Sequence, residues 1–545
     1  MKRIISFVLV LFSVQSSFCQ SLVKDINIGN GNSNPANFIR LGNSTCFIAN
    51  DELHGYELWI TDGTEAGTTR VKDINPGVGD GCFYHGSVFR KISQLQVLGK
   101  NVYFFANDGV HGFELWCSDG TDLGTHLVKD IMPGAGSSST DLSITRAGSY
   151  LYFAASDALH GIELWRSDGT DTGTVLLKDL YPGPQSGNPL YLFADSDVVY
   201  FAANDKVNGY GLWKTNGTED GTVFLKNVAP SGGLSDSIPY IKFKGELYFS
   251  GVSIDYGTEL WKTNGTPDGT VLVKDINPGK AEAFPSHFNV LKDRLVFSAI
   301  TKQNGKELWQ SDGTEAGTGL IKDIYPGKES SDPGQPVVIK DKIYFIASDT
   351  INHAELWVSD LSDTGTRVFY PTKPAGNQHF KNLFADNGWM YFTTDSANTG
   401  FELWSSDGTA EGTKMLSEIC QGTCGSEPCN FYRSDTILFF CAFDDLHGNE
   451  LWCLGNNITF IQQITTQKAS DIYIDPLRRT LNQMRQTGSD IIYIKIFDLS
   501  GNELYTQYIK DPNQVSSEKF KSGIYFLRAY DKHNDFVSFA RFVKE

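Results

Sequence analysis

Residues 114–131 read ELWCSDGTDLGTHLVKDI, and this stretch decides the fold because it keeps returning. A Glu-Leu-Trp triplet, once Gly-Leu-Trp, places its tryptophan at Trp59, Trp116, Trp165, Trp213, Trp261, Trp309, Trp357, Trp404 and Trp452. Successive spacings are 57, 49, 48, 48, 48, 48, 47 and 48 residues, and the first is lengthened by an insertion over 77–96. Nine of the ten tryptophans hold this one position, with Trp389 the exception. Length alone would divide 545 residues into about three or four domains, whereas a fixed period makes most of them one array.

Within the unit 189–228, short apolar runs at 190–194, 198–203, 210–215 and 223–228 are separated by Gly-, Asn- and Asp-rich turns, and no helical period persists. That spacing predicts a four-stranded antiparallel meander. On its third strand Leu212 points to one face and Trp213 to the other, so both faces need a like neighbour. Radial repetition supplies one. The expected fold class is therefore all-β, a large β-propeller of four-stranded blades followed by a small β-sandwich. Nine triplets favour nine blades, with eight blades and one aberrant unit as the alternative. A linear β-solenoid competes less well, because its coils are usually shorter than the repeat. Residues 21–26 look like a fourth strand with no triplet before it, matching 71–74, 128–131 and 273–276, and could close the ring by completing the last blade. Residues 458–464 compete for the same place.

The formal charge of −18 argues against a nucleic-acid or anionic-membrane partner, since both need basic neutralising contacts. Lys2 and Arg3, an apolar run over 4–14 and small polar residues before Gln20 form a secretory signal pattern over 1–19. Cys19 raises a lipoprotein alternative, against which Phe18 stands where a small residue is wanted. No later stretch has the about 20 apolar residues of a transmembrane segment. Export permits disulfides. Of the remaining Cys46, Cys82, Cys117, Cys420, Cys424, Cys429, Cys441 and Cys453, the last five are expected to staple the final blade, with a link from one of them across the seam to Cys46. Their spacing matches no paired CxxC zinc pattern.

Three recurring polar sets invite a functional reading. Asp119-Gly120-Thr121 and its counterparts fit a tight turn better than a calcium loop, because Asn216 and Asn264 replace the aspartate. Asp51, His54 and Glu57 recur as Asp108, His111, Glu114 and Asp157, His160, Glu163. His54, His111 and His160 are thus metal candidates, although Asn208, Tyr256 and Asn304 stand in their place elsewhere, as a hydrogen-bonded hairpin cap would allow. The triplet glutamate, if buried, needs a partner, and the fourth-strand lysine, such as Lys129 or Lys178, is the expected one. No catalytic motif and no cofactor fingerprint occurs, so no metal, cofactor or catalytic residue is assigned.

The unit through Glu114, Leu115, Trp116, Asp119, Gly120, Thr121, Gly124 and Thr125 resembles the ELWxxDGT repeat of exported bacterial proteins over 20–467. The motif weakens at Asp360, followed by Leu361 and Ser362, and loses its second half after Leu454. Residues 470–545 carry no triplet and are nearly neutral, with eleven basic and ten acidic residues. They resemble the type A C-terminal sorting domain of the type IX secretion system, through Asp498, Gly501, Gly523, Tyr525, Arg541 and Lys544. Asp475-Pro476 stands where that family has Asn-Pro. The resemblances imply passage through periplasm and outer membrane by the type IX machinery, to the cell surface or the medium. The expected function is non-enzymatic binding or adhesion to an extracellular glycan or protein, with a glycan-cleaving enzyme on the same scaffold as the alternative.

Overall fold

The computed structural model describes residues 17–82, 94–139, 142–232, 239–351, 354–369, 379–396, 399–457, 493–497, 503–508, 523–530 and 536–544. The chain divides into two compact units, 1–459 and 460–545. The first holds nine four-stranded sheets ordered as blades of a β-propeller, one of them with a short extra strand, Ala229–Pro230. Blade 4 shows the pattern: Leu190–Asp195, Val198–Asp205, Gly209–Thr215 and Val223–Lys226, each antiparallel to the next. First strands of neighbouring blades lie against one another around the axis, the first against the ninth included.

Alternation along the second strand explains why blades must stack. Val199, Phe201 and Ala203 join Trp213 in a cluster with blade 3, while Tyr200 and Leu212 join one with blade 5. Nine such apolar clusters fill the nine junctions between blades. The ninth crosses the seam, where Val23, Ile26, Phe439, Leu451 and Cys453 pack on Phe47, Ala49 and Trp59.

Ring closure follows the N-terminal expectation. Ser17–Lys24 forms the outer strand of blade 9 against Gly448–Asn457, with Gln20 opposite Leu454 and Leu22 opposite Trp452. Residues 458–464 lie outside the described residues. This closure explains the loss of the Asp-Gly-Thr half after Leu454. The fourth strand of that blade arrives from the other end of the chain, so no third-to-fourth turn is needed.

Elsewhere the Asp-Gly-Thr segment builds the turn. Asn216 Oδ1 accepts Thr218 N (3.1 Å) and Oγ1 (2.7 Å), and Gly221 N donates to Thr218 Oγ1 at 3.0 Å. In the degenerate repeat Ser362 Oγ replaces the threonine hydroxyl on Asp360. Gly217 is held by two constraints: its φ is +87°, and a Cβ would stand 2.4 Å from Tyr152 Oη of the preceding blade. Gly217→Ala is expected to destabilise the ring by about 1–3 kcal/mol, read as a lower urea midpoint at unchanged slope.

In the second unit Tyr493–Phe497, Glu503–Tyr508, Gly523–Tyr530 and Phe536–Lys544 form one antiparallel sheet, ordered second, first, third, fourth. The expected sandwich needs a second sheet, and the described residues supply one sheet only. Gly523 lies opposite Lys544, Tyr525 opposite Phe542 and Phe526 opposite Arg541. Asp498 and Gly501 lie outside the described residues.

Candidate functional site

One face of the propeller carries both the second-to-third-strand hairpins and the loops leading to the next blade. The two touch: a Cβ on Gly112 would stand 2.3 Å from Gly136 O, and one on Gly161 2.5 Å from Gln185 O. The described start of the insertion shares this face, since Gly55 abuts Gly79 and Asp80.

The aspartate–histidine set is a hairpin cap. Asp108 Oδ1 accepts Val110 N at 2.9 Å and His111 N at 2.8 Å, while Oδ2 meets His111 Nδ1 at 2.7 Å. His54 and His160 stand 2.8 Å from Asp51 and Asp157 in the same way. The carboxylate hydrogen bonds raise the pKa of His111 and His160. The third member of each set turns away into the core, so the three groups do not converge on one point. Among the described residues, the one group of His, Cys and carboxylate side chains close enough to share a metal is Cys420, Cys424 and Asp445, and its two sulfurs are bonded to each other.

The expected glutamate–lysine pairing is not formed. Glu114 is fully buried and accepts Ile131 N, Met132 N and Ser138 N at 3.0–3.1 Å, thereby holding the loop that leaves its own blade. Lys129 instead reaches the next blade, donating to Asp171 O and Oδ1, and Lys178 donates to Thr222 O at 2.9 Å. The physical reason is that three buried amide donors already surround the carboxylate, while the lysine stem can carry its charge out to the rim. The exception supports this assignment. Gly211 replaces the glutamate in blade 4, where Val228 N bonds to Lys226 O and the chain enters the extra strand.

The stapling expectation is corrected in part. Cys420 and Cys424 form a disulfide within the loop from blade 8 to blade 9. Cys429 and Cys441 sit opposite each other on adjacent strands as free thiols, Cys441 Sγ donating to Asn449 Oδ1 at 3.0 Å, and Cys453, opposite Phe439, is out of step with both. Cys46 does not bridge the seam. It is buried in the junction between blades 1 and 2, and burial pushes its thiol up to about 12. Peptide mapping of unreduced protein is expected to recover a linked Cys420–Cys424 peptide and an unlinked Cys46 peptide.

Near the axis, the first-strand regions of blades 1 to 5 enclose a cavity of about 390 Å³. The residues lining it include Phe38, Tyr191, Phe193, Asn37, Gln94, Gln96, Ser143 and Thr145. The Phe38 ring also stacks on Phe47, Tyr432 and Phe439 in the seam, and the Phe193 ring packs on Tyr240. Asn37 and Tyr191 sit on bulges at φ +56° and +54°. The same irregularity recurs at His287, Gln335, Asn382 and Asn430. Two of these tie blades together, Asn382 Nδ2 to Pro428 O at 3.0 Å and Asn430 Nδ2 to Pro35 O at 3.1 Å.

One axial position breaks the repetition with ionisable groups. His287 Nδ1 lies 3.2 Å from Ser298 Oγ, and burial together with the Lys306 charge pushes its pKa down to about 4. Burial also lowers Lys306, with Asp332 acting against it. Ser298 is buried, and the group holds a single carboxylate where glycoside hydrolysis uses two.

The cavity was not visible in the sequence because its members come from separate repeats, and the His287 group was not because no local pattern sets His287 beside Ser298, 11 positions on, in the same blade. A third feature was visible and passed over. The residue after the hairpin Asp-x pair is aliphatic in most repeats, and the fold leaves it exposed at Leu53, Val110, Leu159, Val207, Ile351 and Leu446.

No family model matches the chain, and no curated protein matches it. Among solved structures, the computationally designed Ika8 protein is 15% identical with a TM-score of 0.36, covering 68% of this chain and 96% of that one. PorZ, a surface component of the type-IX secretion system of Porphyromonas gingivalis, is 12% identical with a TM-score of 0.33, covering 93% and 74%. Prolyl oligopeptidase B from Galerina marginata is 11% identical with a TM-score of 0.33, covering 65% and 56%. The fold assignment rests on the strand order and the nine junctions. Among the described residues, no helix is long and apolar enough to cross a membrane.

Proposed function

We propose that this chain is an exported, non-catalytic propeller that binds a glycan in its axial cavity. The observation that carries the reading is the cavity lining, which brings aromatic residues together with amide- and hydroxyl-bearing ones. Aromatic faces accept the C–H face of a sugar, and amides pair with its hydroxyls in both donor and acceptor senses. A volume of about 390 Å³ falls within the ordinary range of small-ligand sites. Glycan cleavage remains the second reading, favoured only by the His287, Lys306 and Asp332 group. Calorimetry against surface glycans, paired with a reducing-sugar assay, separates the two. Retained ligand without turnover, weakened at least tenfold by Tyr191→Ala, supports binding; turnover without retained ligand overturns it.

We further propose that 1–19 is a cleaved export signal and that 470–545 is a type IX sorting domain. The near-neutral charge and repeat-free sequence of the tail support this reading, as do the motif residues on its two paired strands. Deleting 470–545 should leave folded propeller in the periplasm. Normal appearance of the truncated protein outside the cell rejects the assignment.

A further inference from the structure

Seven of the nine hairpins on one face of the ring end in an exposed aliphatic side chain. Six stand at one position, Leu53, Val110, Leu159, Val207, Ile351 and Leu446, and blade 5 carries Ile254 one position earlier, all between 62% and 88% exposed. Blade 6 carries Gln303 at that position, and in blade 8 its counterpart Asn398 lies outside the described residues. Two loop residues on the same face, Ile28 and Val78, are exposed as well. The connections on the opposite face expose Leu123 alone among the described large apolar residues.

The hairpin itself does not require an aliphatic residue here. What the turn uses is that residue's backbone: Leu159 N donates to Asp157 Oδ1 at 3.0 Å, Ile351 N to Asp349 Oδ1 at 2.8 Å and Leu446 N to Asp444 Oδ1 at 2.9 Å. Any residue with an N–H would serve. The same bonds draw the carboxylate back beneath the turn and leave the aliphatic group as the outermost apolar part of the tip. Single exposed apolar residues are ordinary, but a ring of them at one structural level is not.

We propose that this face rests on a lipid bilayer with uncharged headgroups, its aliphatic tips entering the interface. Two observations select that occupant. The tips belong to separate blades, and a fluid planar surface is what meets all of them at once without matching their spacing. The chain is also strongly acidic, which sets it against anionic headgroups. Insertion is shallow, one side chain deep, and association is reversible.

The test is flotation of the full chain with phosphatidylcholine vesicles, with phosphatidylglycerol vesicles in parallel. The expected result is co-flotation with phosphatidylcholine, weaker with phosphatidylglycerol. The combined variant Leu53→Ser, Leu159→Ser, Leu446→Ser should lose roughly tenfold or more in partitioning. Its thermal midpoint should stay unchanged, because none of these side chains packs in a junction. Leu123→Ser, on the opposite face, should float as the parent does. A parent chain that stays in solution, a triple variant that floats equally, or stronger flotation with phosphatidylglycerol overturns the proposal. So does self-association on light scattering that the triple variant abolishes without any vesicle binding by the parent.

Discussion

Removing residues 20–27 is expected to open the ring and abolish a single cooperative unfolding transition. Those residues supply the outer strand of blade 9 and bury Val23 and Ile26 in the seam. They also donate Ile26 N (2.9 Å) and Asn27 N (3.2 Å) to the carboxylate of Glu450, which Ser33 Oγ reaches at 2.6 Å. Losing two buried aliphatic residues and half the donors of a buried carboxylate removes on the order of 6–10 kcal/mol, comparable with the whole stability of a domain. The deletion also bares Gly448–Asn457 as a long unpaired edge, a template for aggregation. Tryptophan fluorescence during heating and light scattering at rest read the two consequences. A midpoint within about 2 °C of the parent would show that ring closure contributes little.

The second large effect is expected at the triplet glutamate. Glu307 accepts Ile324 N, Tyr325 N and Ser331 N at 3.0–3.2 Å and Ser331 Oγ at 2.6 Å, all within the protein. Glu307→Ala strands those donors and should destabilise by about 3–5 kcal/mol, with Glu307→Gln at about 1–3 because its NH₂ confronts N–H groups. An equal effect of the two would show that volume, not hydrogen bonding, is what the site needs. The same carboxyls set the response to pH. Burial lifts Glu307, Glu114, Glu163 and Glu450 from 4.5 to about 7, and Glu57 and Glu259 to about 8, outweighing their amide bonds. The folded state therefore holds protons that the unfolded chain releases. That stability is complete below 4.5 and is lost as pH rises through 7 to 8. Turn aspartates such as Asp119, Asp168 and Asp407 work in the opposite sense. Their hydrogen bonds to the turn threonine lower them below 3.8, so their contribution disappears as pH falls through those lowered values. Thermal midpoints should be highest near pH 4.5, fall from there to about pH 8 and change little above it, a decline that Glu307→Gln makes shallower. A midpoint that climbs steadily to pH 9 would contradict this.

The strands, their antiparallel order, the blade count and the closing role of the N-terminal residues were legible in the linear chain. Each depends on short-range pattern: period-two alternation, Asp-Gly turns, and a triplet at a nearly constant spacing. The turn role of Asp119 and the cap role of His111 were legible for the same reason, since donor and acceptor lie two or three residues apart. Tertiary structure decided what depends on proximity between distant residues. Lys129 answers to Asp171, 42 positions away, and Glu114 to the amides of its own loop 17 to 24 residues on, so the expected ion pair was displaced by partners that no local pattern reveals. Cysteines clustered in sequence were separated by strand register, which sets Cys453 against Phe439 and leaves Cys46 in another junction. The axial cavity draws its wall from five blades and the apolar tips from seven. A repeat places equivalent residues on one circle, and only the closing of that circle makes them neighbours or sets them on a common plane.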